Sequence, residues 1–588
     1  MPILNVEKQI LYFSRLAKLG VSKEILTTLP ELAETMFTST RHCRALLKEL
    51  SNAGWIEWTP KVGRNQRSHL FLNYSLEGMK AELSKQLIRE GSYEKALNLI
   101  DNDQELFGRL LKSTSGTQQH QGRLHVQLTY NRQFSTLVPH IPQRNSERFL
   151  LRQVYSCLTR CDELGHIQTD LAHHWSYDEQ KLVWRFHLRP YLRFHDGSDI
   201  NSAVVVELFQ QLRKSAVYKQ ELAHIKEMRA INPLCIELEL SESDPGLAGL
   251  LSQIKYSIQP SVQDSKARKV VGSGMFKVTE HSLQQLTLQA FDDYHGFRAL
   301  TESITIWQVV EQSSRVFGDT VLQAGTGKQT IPLCSNYLSV EGGQSESESE
   351  QRSSIEDGCL LTLVNSRAQL SLSQRKYLGQ LISTERLLQQ VASTTDKVEA
   401  VPAYNLLPDW LGMLQIEDCV ESLPKRLTIG TFEHKALKKC APIITELLER
   451  VGVTCTTKIY SFEEFHQRAS DNTLCEDLLL TSMNLDENRP ISAFYWMWSN
   501  PIIHQSLPVQ DATWLKGRLT EIRSEKPITR YLKELEPIAS ALITSGWIIP
   551  MFHHRQTLRF EGVLKNVAMN TWGWPVLQDI WSDESQAN

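Results

Sequence analysis

No CxxC pair occurs anywhere in the chain, although it holds 10 cysteines. Without that spacing, zinc-ribbon and dithiol redox chemistry have no support. The thiols at 43, 157, 161, 235, 334, 359, 419, 440, 455 and 475 read as reduced, mostly buried side chains of a cytosolic protein. Nor is a secretory leader expected from the opening residues. It needs an unbroken apolar run of about 7–15 residues, and Glu7, Lys8, Gln9 and Arg15 interrupt the opening MPILNVEKQILYFSRLAKLG. Nor does any stretch approach the ~18 apolar residues of a membrane span. The expectation is a soluble, cytoplasmic protein with no membrane partner.

Enzyme signatures are equally scarce. There is no GxSxG, no HExxH and no convincing nucleophile set. AGTGKQT (residues 324–330) carries Gly327-Lys328, but Leu322 stands where a phosphate-binding loop needs glycine. Gln329 stands where it needs Ser or Thr. His173-His174 and His553-His554 are adjacent pairs, and neighbours in a strand point to opposite faces, so neither chelates naturally. No catalytic residue, metal or cofactor is expected.

What is present is material for several domains. The chain has 588 residues, 41% hydrophobic and 22% charged, which suits two to four soluble globular domains. Net charge is −4, but it is unevenly spread. Residues 1–73 hold ten Lys/Arg and six Asp/Glu, a basic head of +4 on a body of −8. A basic head on an acidic body suits a DNA-binding head.

The head has the periodicity of three helices and a hairpin. Val6, Ile10, Phe13 and Ala17 recur at helical spacing. A short helix spans 29–36, with Pro30 tolerated in its first turn. The third helix, about 39–52, has two faces. Cys43, Leu46, Leu47 and Leu50 form one; Arg41, Arg44, Ala45 and Lys48 form the other. At about 100° per residue the two stripes are opposed, so one packs inward while the other offers cations to a major groove about 12 Å wide.

Thr38, Ser39 and Thr40 open this helix and could bind phosphate with its free N–H groups, while Arg41 and His42 stand at the end that meets base edges. After Gly54 comes a strand, WIEW, then PKVGRNQRSHLFL. The latter reads as a β-hairpin wing whose cationic tip carries Lys61, Arg64, Asn65 and Arg67.

Residues 74–122 read as a helical linker. Leu76, Met79, Leu83 and Leu87 form a stripe, Phe107, Leu110 and Leu111 a further helix, and SGTQQHQG (115–122) a loop or hinge. From Arg123 the pattern becomes mixed. Strands are expected at 182–188 and 236–240, with a helix capped by Asn201 or Ser202 between them. EGGQSESESEQRSS (341–354) reads as an exposed, mobile insertion. Residues 426–483 alternate strand, helix, strand, helix, strand, which implies parallel pairing.

Four body motifs carry a family resemblance. LRPYLRFHDGSDINSAVVV (188–206), GSGMF (272–276), FDDYHG (291–296) and the terminal TWGWP resemble motifs of the large peptide-binding proteins of ABC importers. Ser273, Met275, Phe276, Phe291 and His295 depart from that family's pattern. Together with LAETMFTSTRHCRALLKELSNAGWIEW and GRNQRS in the head, the chain resembles the SgrR-type transcriptional regulators.

The resemblance implies a multidomain fold. A winged helix-turn-helix (1–73) and a linker (74–122) precede an α/β, two-lobed, periplasmic-binding-protein-like domain of the oligopeptide-binding type (123–588). Its lobes are expected at about 123–308 plus 551–588, and at 309–550. The partners implied are double-stranded DNA and a small solute, whether sugar phosphate, oligosaccharide or peptide. Cleft candidates are the segments YNRQF, VNSR, LDENRP and FYWMW, hence Arg132, Asn365, Arg367, Asp486, Trp496 and Trp498. A phosphate-bearing ligand would favour Arg132 and Arg367 as bidentate donors, and the two tryptophans could stack on a sugar or peptide face. A transport component and an enzyme are the competing readings.

Overall fold

The computed structural model describes residues 6–582, apart from 62–65, 90–92, 102, 104–105, 108–109, 111–116, 121–122, 131, 265, 309–338, 341–349, 393–399, 412–419, 561–563, 566–567, 569, 571, 573 and 575. Arg64, Asn65 and the segment 324–330 lie outside the described residues. The described chain divides into two compact units, one spanning Met1–Gln118 and one from Gln119 onward.

The first unit begins with α1 (Val6–Ala17), β1 (Ile25–Thr27), α2 (Leu29–Thr35), α3 (Thr40–Asn52), β2 (Ile56–Thr59) and β3 (Ser68–Leu72). Its helix boundaries follow from local chemistry. Thr28 accepts the Glu31 N–H while the Glu31 carboxylate accepts the Thr28 N–H, a capping box that starts α2. Ser39 caps α3 by accepting the His42 N–H at 3.3 Å. Phe37, between the helices, turns the chain at φ +52° and is exposed. Gly54 ends α3 at φ +75°, a backbone conformation natural to glycine.

Cys43, Leu46, Leu47 and Leu50 of α3 pack with Phe13, Leu16, Leu32, Met36, Ile56 and Leu70. Each large aliphatic or aromatic side chain buried there is worth about 1.5–3 kcal/mol. β3 pairs antiparallel with β2, forming the wing, and also with β1. β1 was not expected; three residues are too few for alternation to register. Further on, α4 (Leu76–Arg89) and α5 (Tyr93–Leu99) are helical as read. Thr117–His120, however, is a strand rather than a loop. Its polar composition hid a segment held by main-chain pairing.

In the second unit, strands 276–281, 285–290, 301–308 and 123–130 form one end of a mixed sheet. Strands 358–364, 478–484, 426–432 and 454–460 form the other, and the long strand Ile548–Phe560 lies between them. As the alternation implied, 426–432 pairs parallel with both 454–460 and 478–484. Glu350–Ile355 belongs to this sheet, antiparallel to 555–560. That corrects the reading of 350–354 as insertion: main-chain pairing does not need apolar side chains, so the Ser/Glu composition gave no warning.

A separate four-stranded sheet (172–178, 183–188, 235–240, 225–232) carries the helix Ser202–Leu212, whose cap is Asn201. One core gathers 124–154, 270–306 and 572–580. A second core joins 158–258 to 359–552. Gly249 marks that join, because a Cβ there would meet Ile491 Cδ1 at 2.5 Å and Ile528 Cδ1 at 2.7 Å. Among the described residues no helix is long and apolar enough to cross a membrane, and no three His, Cys, Asp or Glu side chains gather to hold a metal ion.

Candidate functional site

In the first unit, α3 presents Arg41, His42, Arg44, Ala45 and Lys48 to solvent, directly opposite its buried stripe. Arg41, Arg44 and Lys48 have no ion pair among the described residues. Thr40 and Ser39 are exposed at the helix start, and Thr38 is half-buried beside them. His42 meets Tyr12 edge-on at 5.7 Å, which restrains its ring while leaving it on the surface. Lys61 is exposed at the wing, its N–H donating to Ser68 Oγ at 3.1 Å. Arg67 differs from the other wing cations. It donates to Leu26 O and to Glu31 Oε1, each at 3.2 Å, and so ties β3 to α2.

The body's motifs prove to be one structural junction. In RFHDG, the Gly197 N–H donates to Phe194 O and the Phe194 N–H to Ser198 O, closing the turn at φ +86° for Gly197. His195 donates its N–H to Gly272 O and pairs its Nε2 with Gly274 O at 2.9 Å. A Cβ on Gly274 would lie 2.5 Å from Gln153 O, so that position requires glycine. Burial pushes His195 down to about 4, making it a neutral strut. His295 and Arg160 both engage the buried Asp170, and Arg160 donates to Tyr294 Oη at 2.7 Å.

Most of the expected ligand residues are occupied by the fold itself. The Arg132 guanidinium holds Glu147 with bonds of 2.7 and 2.8 Å and lies near the Tyr130 ring. It is a structural pair, because Glu147 is fully buried and needs a counter-charge. Asn365 is buried; it accepts from the Arg367 N–H and donates to Glu476 O. Arg367 donates to Leu474 O and Asn472 O, tying its own turn to the loop that precedes the strand Leu478–Asn484. Trp498 is a core residue, stacked on Phe494 at 5.7 Å under the Arg523 guanidinium, and Trp496 packs half-buried against the same core. Five of the six are thus engaged by the fold itself: the aromatic run FYWMW lies on a helix whose apolar face is buried, Asn365 bonds main-chain groups, and the two arginines bond carbonyls or carboxylates.

Asp486 is also buried and engaged, and it leads to residues that the sequence reading did not name. Arg148 and Arg152 both approach its Oδ2, at 3.4 and 3.5 Å. They lie on the helix Asn145–Val154, packed with the first core, while Asp486 follows the strand Leu478–Asn484 of the other end. Arg148 also donates to Asn484 O at 3.0 Å, and Arg152 to Ser252 O at 2.9 Å. Asn488 Nδ2 donates to Ser252 Oγ at 3.1 Å. Arg144, Arg148 and Arg152 are spaced i, i+4, i+8, one stripe of a helix, and that spacing was the available signal. Beside them the Glu487 carboxyl is held above its ordinary range, first by desolvation. A charged seam thus joins the two ends of the body.

Comparison with known proteins fits this anatomy. Residues 8–122 match the family described as "Sugar transport-related sRNA regulator N-term", and residues 166–318 match "Bacterial extracellular solute-binding proteins, family 5 Middle". The HTH-type transcriptional regulator SgrR of Shigella dysenteriae serotype 1 is 27% identical over 592 aligned residues, 99% of each chain. That of Escherichia coli O157:H7 is also 27% identical, with the same coverage. Among solved structures, the oligopeptide-binding protein AppA of Bacillus subtilis superposes with a TM-score of 0.59 at 13% identity, over 79% of this chain and 100% of AppA. The binding protein AgaA of A. tumefaciens gives 0.60 at 14%, over 78% and 99%. The chain therefore carries an SgrR N-terminal domain followed by a body with the two-lobed fold of family 5 solute-binding proteins, and it is similar along its whole length to the SgrR-type transcriptional regulators.

Proposed function

We propose that the winged helix of residues 1–73 binds promoter DNA and that a small solute, held between the lobes of residues 123–588, controls it. The observation that carries this is the opposed character of α3: one flank locked in the core, the other offering Arg41, Arg44 and Lys48 with no ion-pair partner among the described residues. Unpaired cations on a surface helix are free to neutralise phosphates and read base edges. Ser39, Thr40 and the wing's Lys61 would add backbone contacts, and Arg64 and Asn65 would act from the wing tip. Residues 74–122 would pass the state of the body to the head.

The solute is a sugar phosphate or related metabolite, in keeping with the sugar-transport description of the N-terminal family. A peptide or oligosaccharide is the other class that the fold suits. Control requires the solute to bind one arrangement of the lobes better than another, with coupling of about 1–3 kcal/mol, roughly 5–150-fold in DNA affinity. We place the protein in the cytoplasm, where its DNA is. A transport component would leave the cations of α3 without a task.

The test is fluorescence anisotropy of the full chain on duplexes selected from genomic DNA. Arg41→Ala and Arg44→Ala should each weaken binding several-fold with unaltered thermal unfolding. Affinity equal to the parent would remove α3 from the interface.

A further inference from the structure

At the N-terminal end of the helix Asn145–Val154, side chains form a ring that closes on itself. The Arg144 guanidinium lies over Phe462, 4.9 Å from its centroid. Phe462 meets His466 at 4.4 Å, and both contact Phe432, at 5.5 and 5.9 Å. Phe432 meets His434 at 6.0 Å, and His434 stacks on His554 at 5.8 Å with 18° between the planes. His554 Nδ1 is 3.5 Å from Glu356 Oε2, and Glu356 Oε1 accepts from Asn145 Nδ2 at 2.7 Å. Asn145 follows Arg144 in the chain, so the circuit is complete.

The polar members of the ring are underused. Arg144, His434 and His466 make ring contacts but no side-chain hydrogen bond or ion pair among the described residues, and His434 Nδ1 is buried without a partner. All three side chains are half-buried. Arg144 is the N-cap residue of the helix, yet its side chain makes no cap bond. The nearest buried carboxylate, Glu147, is committed to Arg132.

We propose that this ring is an anion subsite of the solute cleft. It would take the phosphate or carboxylate of a small solute on the Arg144 guanidinium and the imidazole N–H groups of His434 and His466. Glu356 would accept from a hydroxyl on the same solute. The assignment rests on reading the body as the solute-binding part.

The physical case has three parts. Arg144 is held below the usual guanidinium range, first by burial and then by the neighbouring Arg132, so a bound anion relieves an existing penalty. Burial pushes His434 down to about 3 and His466 and His554 to about 4. At neutral pH each imidazole is therefore uncharged, with one N–H to donate. The first turn of the helix adds its partial positive charge. Phe432 and Phe462 supply an apolar wall for the solute's carbon skeleton.

The experiment is a thermal-shift and calorimetric titration of the full chain with inorganic phosphate, acetate and glucose. Saturable binding of phosphate or acetate, with none of glucose, supports the subsite, and the better anion identifies the group it takes. In Arg144→Gln the anion affinity should fall at least tenfold, in Arg144→Lys by less, and in His466→Gln several-fold. Arg518→Gln, at an exposed position of another helix, should leave it unchanged. If Arg144→Gln unfolds, Arg144→Lys and His466→Gln decide.

Glucose binding as well as phosphate, no saturable anion binding, or equal anion binding in the parent and Arg144→Gln would each overturn the proposal. DNA affinity, measured in parallel, separates this inference from the sensor reading. Anion binding lost in Arg144→Gln while DNA binding ignores the anion upholds the subsite and removes the control. A solute that alters DNA binding equally in both proteins upholds the control and overturns the subsite.

Discussion

The head and the body use cations in opposite ways. On α3, Arg41, Arg44 and Lys48 stand exposed, with no ion pair among the described residues. In the body, Arg132 holds Glu147, Arg160 holds Asp170, Arg489 holds Asp357 and Asp409, and Arg523 holds Glu242. A buried guanidinium must be neutralised where it lies, because desolvation costs several kcal/mol per ion. An exposed one can wait for a partner from outside. The contrast sets the paired arginines of the body apart from those of α3, and Arg144, half-buried and without a side-chain hydrogen bond or ion pair among the described residues, resembles the latter.

Acid should break the comparison most strongly, from the body's side. His195, His466 and His554 are held at about 4 and His434 at about 3, below the ordinary value of about 6.5. They are neutral when folded and take up protons more readily when unfolded. Their contribution is therefore complete above about pH 6.5 and is lost as pH falls toward 4. The slope is about 1.4 kcal/mol per pH unit for each fully linked histidine. Urea unfolding across that window should show the body's midpoint falling; a flat midpoint would contradict the burial of these rings.

Next in size is Glu147→Ala. It strands the Arg132 guanidinium and leaves the Ser135 N–H without its acceptor. The body should lose about 3–5 kcal/mol, read by denaturant unfolding, while DNA affinity measured well below the unfolding midpoint stays near that of the parent. A loss under 1 kcal/mol would mean that the pair behaves like a surface pair.

Much of the head was legible because its signals are local. Helical spacing placed α1 and α3, Gly54 marked an end, and the two faces of α3 appeared at the right residues. The strand–helix alternation of 426–483 was readable for the same reason. The body's site was not. Arg132 and Trp498 are plausible ligand residues by type, but only the folded chain shows that they also engage Glu147 and the core. The Arg144, Arg148, Arg152 stripe reads in isolation as an ordinary solvated helix face. It gains meaning only because residues about 340 positions later, Asn484 and Asp486, fold against it.

A finer contrast lies within the head. Arg67 and Lys48 are both exposed cations, yet Arg67 bonds Glu31 and Leu26 O while Lys48 bonds nothing among the described residues. Arg67→Ala should slightly lower the thermal stability of the head and leave the salt dependence of DNA binding almost unchanged. Lys48→Ala should do the reverse. Matching salt slopes for the two variants would dissolve the distinction.

The central claim is that the free cations of α3 face DNA phosphates and bases, and the salt dependence of binding tests it most directly. Each phosphate contact contributes about 0.9 to the slope of log affinity against log salt concentration. The triple variant Arg41→Ala, Arg44→Ala, Lys48→Ala should bind a selected duplex with a slope shallower by about 2–3 and with an unfolding profile like the parent's. A slope identical to the parent's, in a protein that still folds and still binds, would contradict the account.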